Sequence, residues 1–208
     1  MLRLILVRHG ETSFNHERRL QGSATDIELN ETGREQVKEL GEALKSEKVN
    51  AIYASPMRRA RETALAIASH HGLTVQTETK LTEINTGDVE GLTIEQIEQQ
   101  YSHFWKEWTQ GTGSLKMPGG ESLEDVRERA WGTIQRIYRI HPDGTVIVVC
   151  HTLTLLAIIC AALNIDLSCF RRLRCDVAGL SILNMDGQST SLVRLNDTCH
   201  LKEAPGRF

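Results

Sequence analysis

Leu2-Arg-Leu-Ile-Leu-Val-Arg-His-Gly-Glu-Thr12 is the stretch that decides the fold of this 208-residue chain. Its apolar part, residues 2–7, has no helical period, which predicts a strand buried on both faces. The run ends at once in Arg8 and His9, and Gly10 then indicates a loop. Because ligands of parallel α/β sheets bind beyond the carboxyl ends of the strands, this stretch also predicts where the binding site lies.

The rest of the chain alternates between predicted strands and helices. The predicted strands are residues 51–54, 73–76, 145–150, 178–184 and 191–195. Helices are predicted from Asn30, from about Arg58, over residues 121–140, and directly after His151. In the first of these helices, the expected apolar stripe consists of Val37, Leu40, Ala43 and Leu44. The alternation predicts an α/β three-layer sandwich with a mostly parallel central sheet flanked by helices, as a single domain over residues 1–208.

Composition excludes several classes of protein. The chain is 40% apolar and 25% charged, as globular proteins are, and its net charge of −3 argues against nucleic acid as a partner. No signal peptide is visible, and the longest apolar stretch, residues 153–163, is too short to span a membrane. The five cysteines form no Cys-x-x-Cys pair, which favours reduced thiols. We therefore expect a cytoplasmic protein without a membrane partner, and a homo-oligomer stays open.

Three of the predicted strands end in groups suited to phosphate chemistry. Arg8 and His9 follow the first strand, Arg58 and Arg59 follow the second, and His151 follows the strand at 145–150. Arginine forks bind phosphate oxygens bidentately, and a neutral histidine can attack phosphorus. A carboxylic acid is then needed to protonate the leaving oxygen, and the glycine-rich loop that contains Glu83 offers one. These residue types in one crevice predict phosphoryl transfer.

Eight short motifs occur along the chain. They are Leu6-Val-Arg-His-Gly-Glu-Thr-x-x-Asn15, Leu20-Gln-Gly22, Leu29-Asn-x-x-Gly33, Ser55-x-x-x-Arg59-Ala-x-x-Thr63-Ala64, Leu81-x-Glu83 with Gly87 and Glu90-Gly91, Pro118-Gly-Gly-Glu-Ser-Leu123 with Arg129, Val149-x-His151, and Asn196-x-x-x-His200-Leu201. In residue types and in order along the chain, they resemble the sequence motifs of the histidine phosphatase superfamily, in its phosphoglycerate mutase-like branch. The resemblance spans residues 2–201, nearly the whole chain.

The resemblance implies a role for each matching residue. His9 would be the phosphate acceptor and Glu83 the acid and base, whereas Arg8, Arg59 and His151 would hold the phosphoryl oxygens. Asn15 and Gln21 would complete the phosphate pocket. Arg59, rather than Arg58, occupies the position that the motif assigns. The family chemistry needs no metal and no cofactor, and its substrate would be a small phosphorylated metabolite.

One departure from the family pattern lies next to the second histidine. The family usually has glycine there, whereas this chain has Thr152. The Thr152 amide can still face phosphate and its hydroxyl can add a contact, but the β-branched side chain narrows the pocket. We therefore count Thr152 among the expected phosphate-binding residues.

The choice of reaction and substrate leaves alternatives open. Mutases of the family carry Arg-His-Tyr soon after the catalytic glutamate, whereas residues 84–92 contain no cation, which favours hydrolysis over mutase activity. An inactive regulatory module of the same fold is a more remote alternative. The Pro118-Gly-Gly-Glu-Ser element resembles α-ribazole phosphatases of cobalamin assembly and broad-specificity phosphatases. Trp105 and Trp108 could flank a flat aromatic base if the segment at residues 92–117 covers the site.

Overall fold

The computed structural model describes residues 1–111 and 113–203, so Thr112 and residues 204–208 lie outside the described part. Its strands are β1 (Leu2–Arg8), β2 (Ala51–Ala54), β3 (Val75–Thr77), β4 (Gly144–Cys150), β5 (Leu180–Met185) and β6 (Thr190–Asp197). They form one sheet with the order β3-β2-β4-β1-β5-β6. The first four strands in that order are parallel, and β5 and β6 are antiparallel to their neighbours. The carboxyl ends of β1, β2 and β4 therefore meet at one edge of the sheet.

The described residues form seven α-helices, four of which begin at a side-chain cap. They are α1 (Ser13–His16), α2 (Glu31–Leu44), α3 (Arg58–Ala68), α4 (Ile94–Gln100), α5 (Ser102–Thr109), α6 (Leu123–Ile140) and α7 (Thr152–Ala162). Asn30 caps α2 by accepting a hydrogen bond from the Gly33 amide, and Ser122 forms a capping box with Asp125 at the start of α6. Short 3₁₀ turns occur at Thr79–Leu81, Gly87–Val89 and Leu167–Arg172.

The alternating side chains of β1 divide the core into two layers. Leu2, Leu4 and Leu6 pack in the cluster that contains the apolar residues of α6 and α7. Ile5 and Val7 point to the opposite face and pack against α2 and α3. Helices thus cover both faces of a mostly parallel sheet, which confirms the predicted three-layer α/β sandwich.

Local predictions fail where packing overrides the sequence pattern. Ala43 is exposed instead of buried, because α2 approaches α3 through Gly41. A Cβ atom at Gly41 would lie 2.9 Å from the Ala66 carbonyl oxygen, so only glycine permits this approach without a shift. The polar segment around residue 101 forms two helices, α4 and α5, because the backbone leaves the helical region at Tyr101.

Two further properties can be stated for the described residues. Among them, none of the helices combines the length and the apolar character that a membrane crossing requires. The side chains of all five cysteines are free thiols.

Candidate active site

Main-chain hydrogen bonds from two neighbouring segments hold the end of β1. The His9 amide donates to the Cys150 carbonyl at the end of β4, at 3.1 Å. On the other side, the Arg8 amide donates to the Gly179 carbonyl at 3.1 Å and the Ala178 amide donates to the His9 carbonyl at 3.0 Å. The backbone that carries Arg8 and His9 is therefore fixed from both sides.

The His9 ring is oriented by its own loop. His9 is 3% exposed, and its Nδ1 lies 2.7 Å from the Gly10 carbonyl oxygen. Because a carbonyl only accepts, Nδ1 carries the proton of the neutral ring and Nε2 keeps its lone pair. The Arg59 Nε–H faces that lone pair at 3.3 Å. In this arrangement Nε2 is the ring atom that can attack an electrophile.

The two consecutive arginines of α3 have different environments. Arg59 is fully buried, and its guanidinium donates to the carbonyls of Gly22 at 3.0 Å and Thr25 at 3.3 Å. Arg58 is exposed and forms an ion pair with Glu28. Only Arg59 reaches His9, which agrees with the position that the motif assigns.

His151 approaches His9 from the end of β4. The two ring centroids are 5.1 Å apart, and the Ser55 hydroxyl lies 2.8 Å from His151 Nε2. His151 Nδ1 is buried and has no hydrogen-bond partner among the described residues, and the same holds for Arg8 Nε and Gln21 Nε2. In the tautomer in which His151 Nε2 accepts from the Ser55 hydroxyl, Nδ1 carries the proton and is a donor like the other two nitrogens. Buried donors without a partner are rare because each costs free energy, and here three of them belong to predicted phosphate-binding residues.

Burial and the arginine charges determine the protonation of the site. Burial first, and then Arg59 and Arg8, hold the pKa of His9 well below its usual 6.5. Burial likewise lowers the pKa of His151 well below 6.5, helped by Arg59, His9 and Arg8. Burial lowers the pKa of Arg59 to about 10, so this guanidinium stays charged at neutral pH. The site thus combines two neutral imidazoles with buried cations, as binding an anion next to a nucleophile requires.

Asn15 and Gln21 meet at the hydroxyl of Thr12. Thr12 caps α1, and the Asn15 side-chain oxygen accepts from the Thr12 amide at 3.1 Å. The Thr12 Oγ1 also lies 3.0 Å from Gln21 Oε1. The oxygen of each amide is therefore engaged inside the protein, so a phosphate contact by either residue would use its amide nitrogen.

Glu83 lies at the amino end of α7. It is 5% exposed, and its carboxylate accepts hydrogen bonds from the amides of Leu153 at 3.0 Å and Thr154 at 3.1 Å. His151, the N-cap residue, makes no side-chain cap of its own, so Glu83 takes that role. Because the next two amides bind Glu83, the Thr152 amide is the first-turn donor that remains for phosphate.

An arginine that we identified only as a motif landmark fixes the backbone around Glu83. The Arg129 guanidinium donates to the carbonyls of Lys80 and Thr82, both at 2.8 Å, and of Glu83 at 3.1 Å. Its remaining donors bind the Glu121 carboxylate. Glu121, just before the N-cap of α6, and Arg129, within that helix, both belong to the Pro118 motif, so the sequence did contain a signal for this pair.

The last motif, Asn196-x-x-x-His200-Leu201, holds the segment that contacts Arg8 of the first motif. The Arg8 Nη1 donates to the Cys175 carbonyl at 2.7 Å. The segment at residues 175–179 is fastened by Asn196, whose amide exchanges two hydrogen bonds with Asp176 at 2.7 and 2.8 Å. His200 adds a contact of 3.1 Å to the Ala178 carbonyl. Asn196 and His200 thus position Arg8 indirectly, a role that sequence reasoning missed.

The comparisons with known proteins agree with this geometry. The sequence model of the histidine phosphatase superfamily (branch 1) matches residues 4–198. The chain belongs to this superfamily. Among residues 1–111 and 113–203, we find no group of three or more His, Cys, Asp or Glu side chains that could hold a metal ion.

Individual members of the histidine phosphatase superfamily resemble the chain over its length. Phosphoserine phosphatase 1 of Hydrogenobacter thermophilus is 37% identical over 98% of this chain and 96% of its own. The structure of a mycobacterial glucosyl-3-phosphoglycerate phosphatase superposes with a TM-score of 0.87 at 30% identity, covering 93% of this chain and 98% of that one. A proposed α-ribazole 5′-phosphate phosphatase from Escherichia coli has a TM-score of 0.86 at 24% identity, covering 95% and 97%. This last likeness extends to the fold alone.

Proposed function

We propose that the protein hydrolyses small phosphomonoesters through a phosphohistidine on His9. The observation that carries the proposal is that three buried donors, on Arg8, Gln21 and His151, have no partner within residues 1–111 and 113–203, while His9 is neutral. A phosphoryl group supplies the acceptor oxygens that these donors lack. Membership of the histidine phosphatase superfamily supports the same chemistry.

In the first step, His9 Nε2 attacks phosphorus. The N–P bond forms while the bond from phosphorus to the ester oxygen breaks, and Glu83 gives its proton to the departing oxygen. The guanidinium groups of Arg8 and Arg59 neutralise the phosphoryl oxygens in a buried site, where such contacts are strong. As the phosphoryl group binds, the Arg59 Nε–H changes its hydrogen-bond acceptor from His9 Nε2 to a phosphoryl oxygen, which frees the lone pair for attack.

In the second step, water replaces the alcohol. Glu83, now a carboxylate, takes a proton from water as the new O–P bond forms and the N–P bond breaks. Inorganic phosphate leaves, and His9 and protonated Glu83 are regenerated. The same residues serve both steps, so the sequence of events needs no group beyond those described.

The segment after Glu83 favours hydrolysis over mutase activity. A mutase must hold a second anionic group, whereas this segment presents Asp88 and Glu90 and no cation. Glu90 forms hydrogen bonds within the protein: its carboxylate accepts from the backbone amides of Gly22 at 3.0 Å and Thr25 at 3.2 Å. An anionic substituent on this side would meet negative charge.

For the substrate, we propose a small alkyl phosphomonoester, with phosphoserine ahead of α-ribazole 5′-phosphate. The relative named phosphoserine phosphatase matches almost the full chain, which supports this order. The aromatic residues do not support a flat base: Trp108 is 6% exposed and packs at 5.6 Å from Phe170 and 6.0 Å from Phe104. The Trp105 ring N–H donates to Glu98. A specific role in cobalamin assembly thus has weaker support.

A panel assay tests both levels of the proposal. Values of kcat/KM for phosphoserine, 3-phosphoglycerate, α-ribazole 5′-phosphate and p-nitrophenyl phosphate are measured with a chelator present, and mutase activity is assayed in parallel. We expect hydrolysis of p-nitrophenyl phosphate and a preference for phosphoserine among the other three. No hydrolysis of any ester would favour the inactive-module alternative, and a best value for α-ribazole 5′-phosphate would reverse the order of the two substrates.

A further inference from the structure

The two oxygens of the Glu83 carboxylate have unequal surroundings. Oε1 lies 3.0 Å from the Ile84 amide, 3.1 Å from the Thr154 amide and 3.1 Å from the Thr154 hydroxyl. Within the part of the chain that the structure describes, Oε2 accepts from the Leu153 amide alone, at 3.0 Å. Since each carboxylate oxygen offers about two lone-pair directions, Oε1 is fully occupied and Oε2 keeps one direction open.

The Thr154 hydroxyl has one proton and two acceptors within reach. Thr154 is fully buried on α7, and its Oγ1 lies 2.9 Å from the Thr82 carbonyl oxygen and 3.1 Å from Glu83 Oε1. The Thr82 carbonyl also accepts from Arg129 at 2.8 Å. When the hydroxyl turns from Thr82 to Glu83, that carbonyl therefore keeps a donor, and the rotation leaves no buried acceptor unsatisfied.

We propose that Thr154 is a positioning residue for the general acid, and that Oε2 of Glu83 carries the proton that is transferred. The inference rests on the proposed phosphatase function and assigns the proton to one atom. While Glu83 is protonated on Oε2, the Thr154 hydroxyl donates to the Thr82 carbonyl. As Oε2 releases its proton to the departing alkoxide and the P–O bond breaks, negative charge grows on the carboxylate and the hydroxyl turns to donate to Oε1. When Oε2 later takes a proton from water, the hydroxyl returns to Thr82.

This role has a consequence that depends on the leaving group. The hydroxyl stabilises charge that appears only if Glu83 gives up a proton before the alcohol has left, which an alkyl ester requires. The p-nitrophenolate ion leaves without a proton, so its ester does not draw on this contact. Because kcat/KM includes only steps up to departure of the alcohol, the ratio of kcat/KM for the two esters isolates the role of Thr154.

The experiment compares Thr154→Val with Thr154→Ser on the best alkyl ester of the panel and on p-nitrophenyl phosphate. We expect Thr154→Val to lower kcat/KM about tenfold on the alkyl ester and about twofold on p-nitrophenyl phosphate, as loss of a hydrogen bond to a charged group predicts. Thr154→Ser should restore the ratio of the wild type. Thr145→Val is the matched control, a buried threonine at the opposite end of β4, and should leave both values unchanged.

A double-mutant cycle tests whether the effect of Thr154 acts through the charge on Glu83. In Glu83→Gln no carboxylate charge develops, so adding Thr154→Val should cost nothing further on the alkyl ester. Equal losses on the two esters, or fully additive effects in the cycle, would overturn the inference while leaving the phosphatase function intact. A wild type without phosphatase activity would overturn the proposed function and this inference together. If Thr154→Val does not fold, Thr154→Ala removes the hydroxyl without adding bulk, and the same ratio is measured on it.

Discussion

The two halves of the site differ in how their buried polar atoms are satisfied. In the cationic half, donors of Arg8, Gln21 and His151 are buried without a partner among the described residues. In the carboxylate half, both oxygens of Glu83 accept hydrogen bonds, and Arg129 holds the carbonyls of the backbone on which Glu83 sits.

This difference corresponds to the two tasks of a phosphatase. The half that binds must keep donors free for a group that arrives and leaves, although each unsatisfied donor costs about 1–3 kcal/mol of stability. The half that transfers a proton needs one oxygen in a fixed place, and fixing it requires many hydrogen bonds. In the proposed function, stability is reduced where phosphate would bind and regained where the acid would be held.

The largest expected effect concerns the nucleophile in the cationic half. His9→Ala should reduce turnover of p-nitrophenyl phosphate by at least about a thousandfold, because direct attack by water is not oriented by the site. In the wild type, acid-labile phosphate should be trapped on His9, which mass spectrometry of base-quenched enzyme detects. The exposed His103→Ala is the control. Activity within tenfold of the wild type in His9→Ala would refute the covalent mechanism.

The next effect tests the carboxylate half. Glu83→Gln should slow hydrolysis of alkyl esters about a thousandfold and that of p-nitrophenyl phosphate far less, since general acid catalysis contributes roughly 10²–10⁴. Glu124→Gln, at the exposed start of α6, serves as control. Equal losses on both kinds of ester would move the general acid to another residue.

A smaller effect separates the two neighbouring arginines. Arg59→Ala should cost about 2–4 kcal/mol of transition-state stabilisation, because a buried, charged contact to the phosphoryl group is lost. Arg58→Ala removes only an exposed ion pair and should change kcat/KM by less than about threefold. Comparable losses in the two variants would mean that the wrong arginine has been assigned to the phosphate.

The last prediction concerns stability and pH rather than turnover. Folding holds the pKa values of His9 and His151 well below 6.5, whereas in the unfolded chain they are near 6.5. Below pH 6.5 the two histidines therefore bind protons in the unfolded chain but stay neutral in the folded protein. As the pH is lowered below 6.5, the free energy of unfolding therefore decreases by about 1.4 kcal/mol per pH unit for each histidine. Urea unfolding between pH 7 and pH 5 should show this fall, and a His9→Gln/His151→Gln variant should show less of it. An unchanged pH dependence in the variant would contradict the role of burial.

Sequence alone predicted the cationic half better than the carboxylate half. Arg8, Arg59 and His151 follow strands or strand–helix junctions, and a parallel sheet brings such ends together whatever the details of packing. Glu83 lies in an irregular loop, and its candidacy became specific only through the family resemblance. The role of Thr154 depends on hydrogen bonds between α7 and a loop about seventy positions away in the chain, for which no local pattern exists.

Helix packing limited the rest of the prediction. The buried apolar residues of α6 include Val126, Ala130, Ile134 and Ile137, which recur at helical spacing. In α2 the contact with α3 runs through Gly41, so Ala43 turns outward although its spacing suits the stripe. The sequence pattern predicts that a helix forms, whereas the residue at which it most closely contacts another helix depends on the packing of that second helix.

The central place of β1 also has a consequence for biosynthesis. Its two neighbours in the sheet, β4 and β5, begin at Gly144 and Leu180, late in the chain. At a synthesis rate of about 5–20 residues per second, the nascent strand waits on the order of ten seconds before a partner leaves the ribosome. During that time an apolar strand with two unpaired edges is exposed, the kind of segment that aggregates or engages a chaperone. The proposed nucleophile is thus synthesised before the residues that surround it, so by the proposed mechanism an incomplete chain could not carry phosphate.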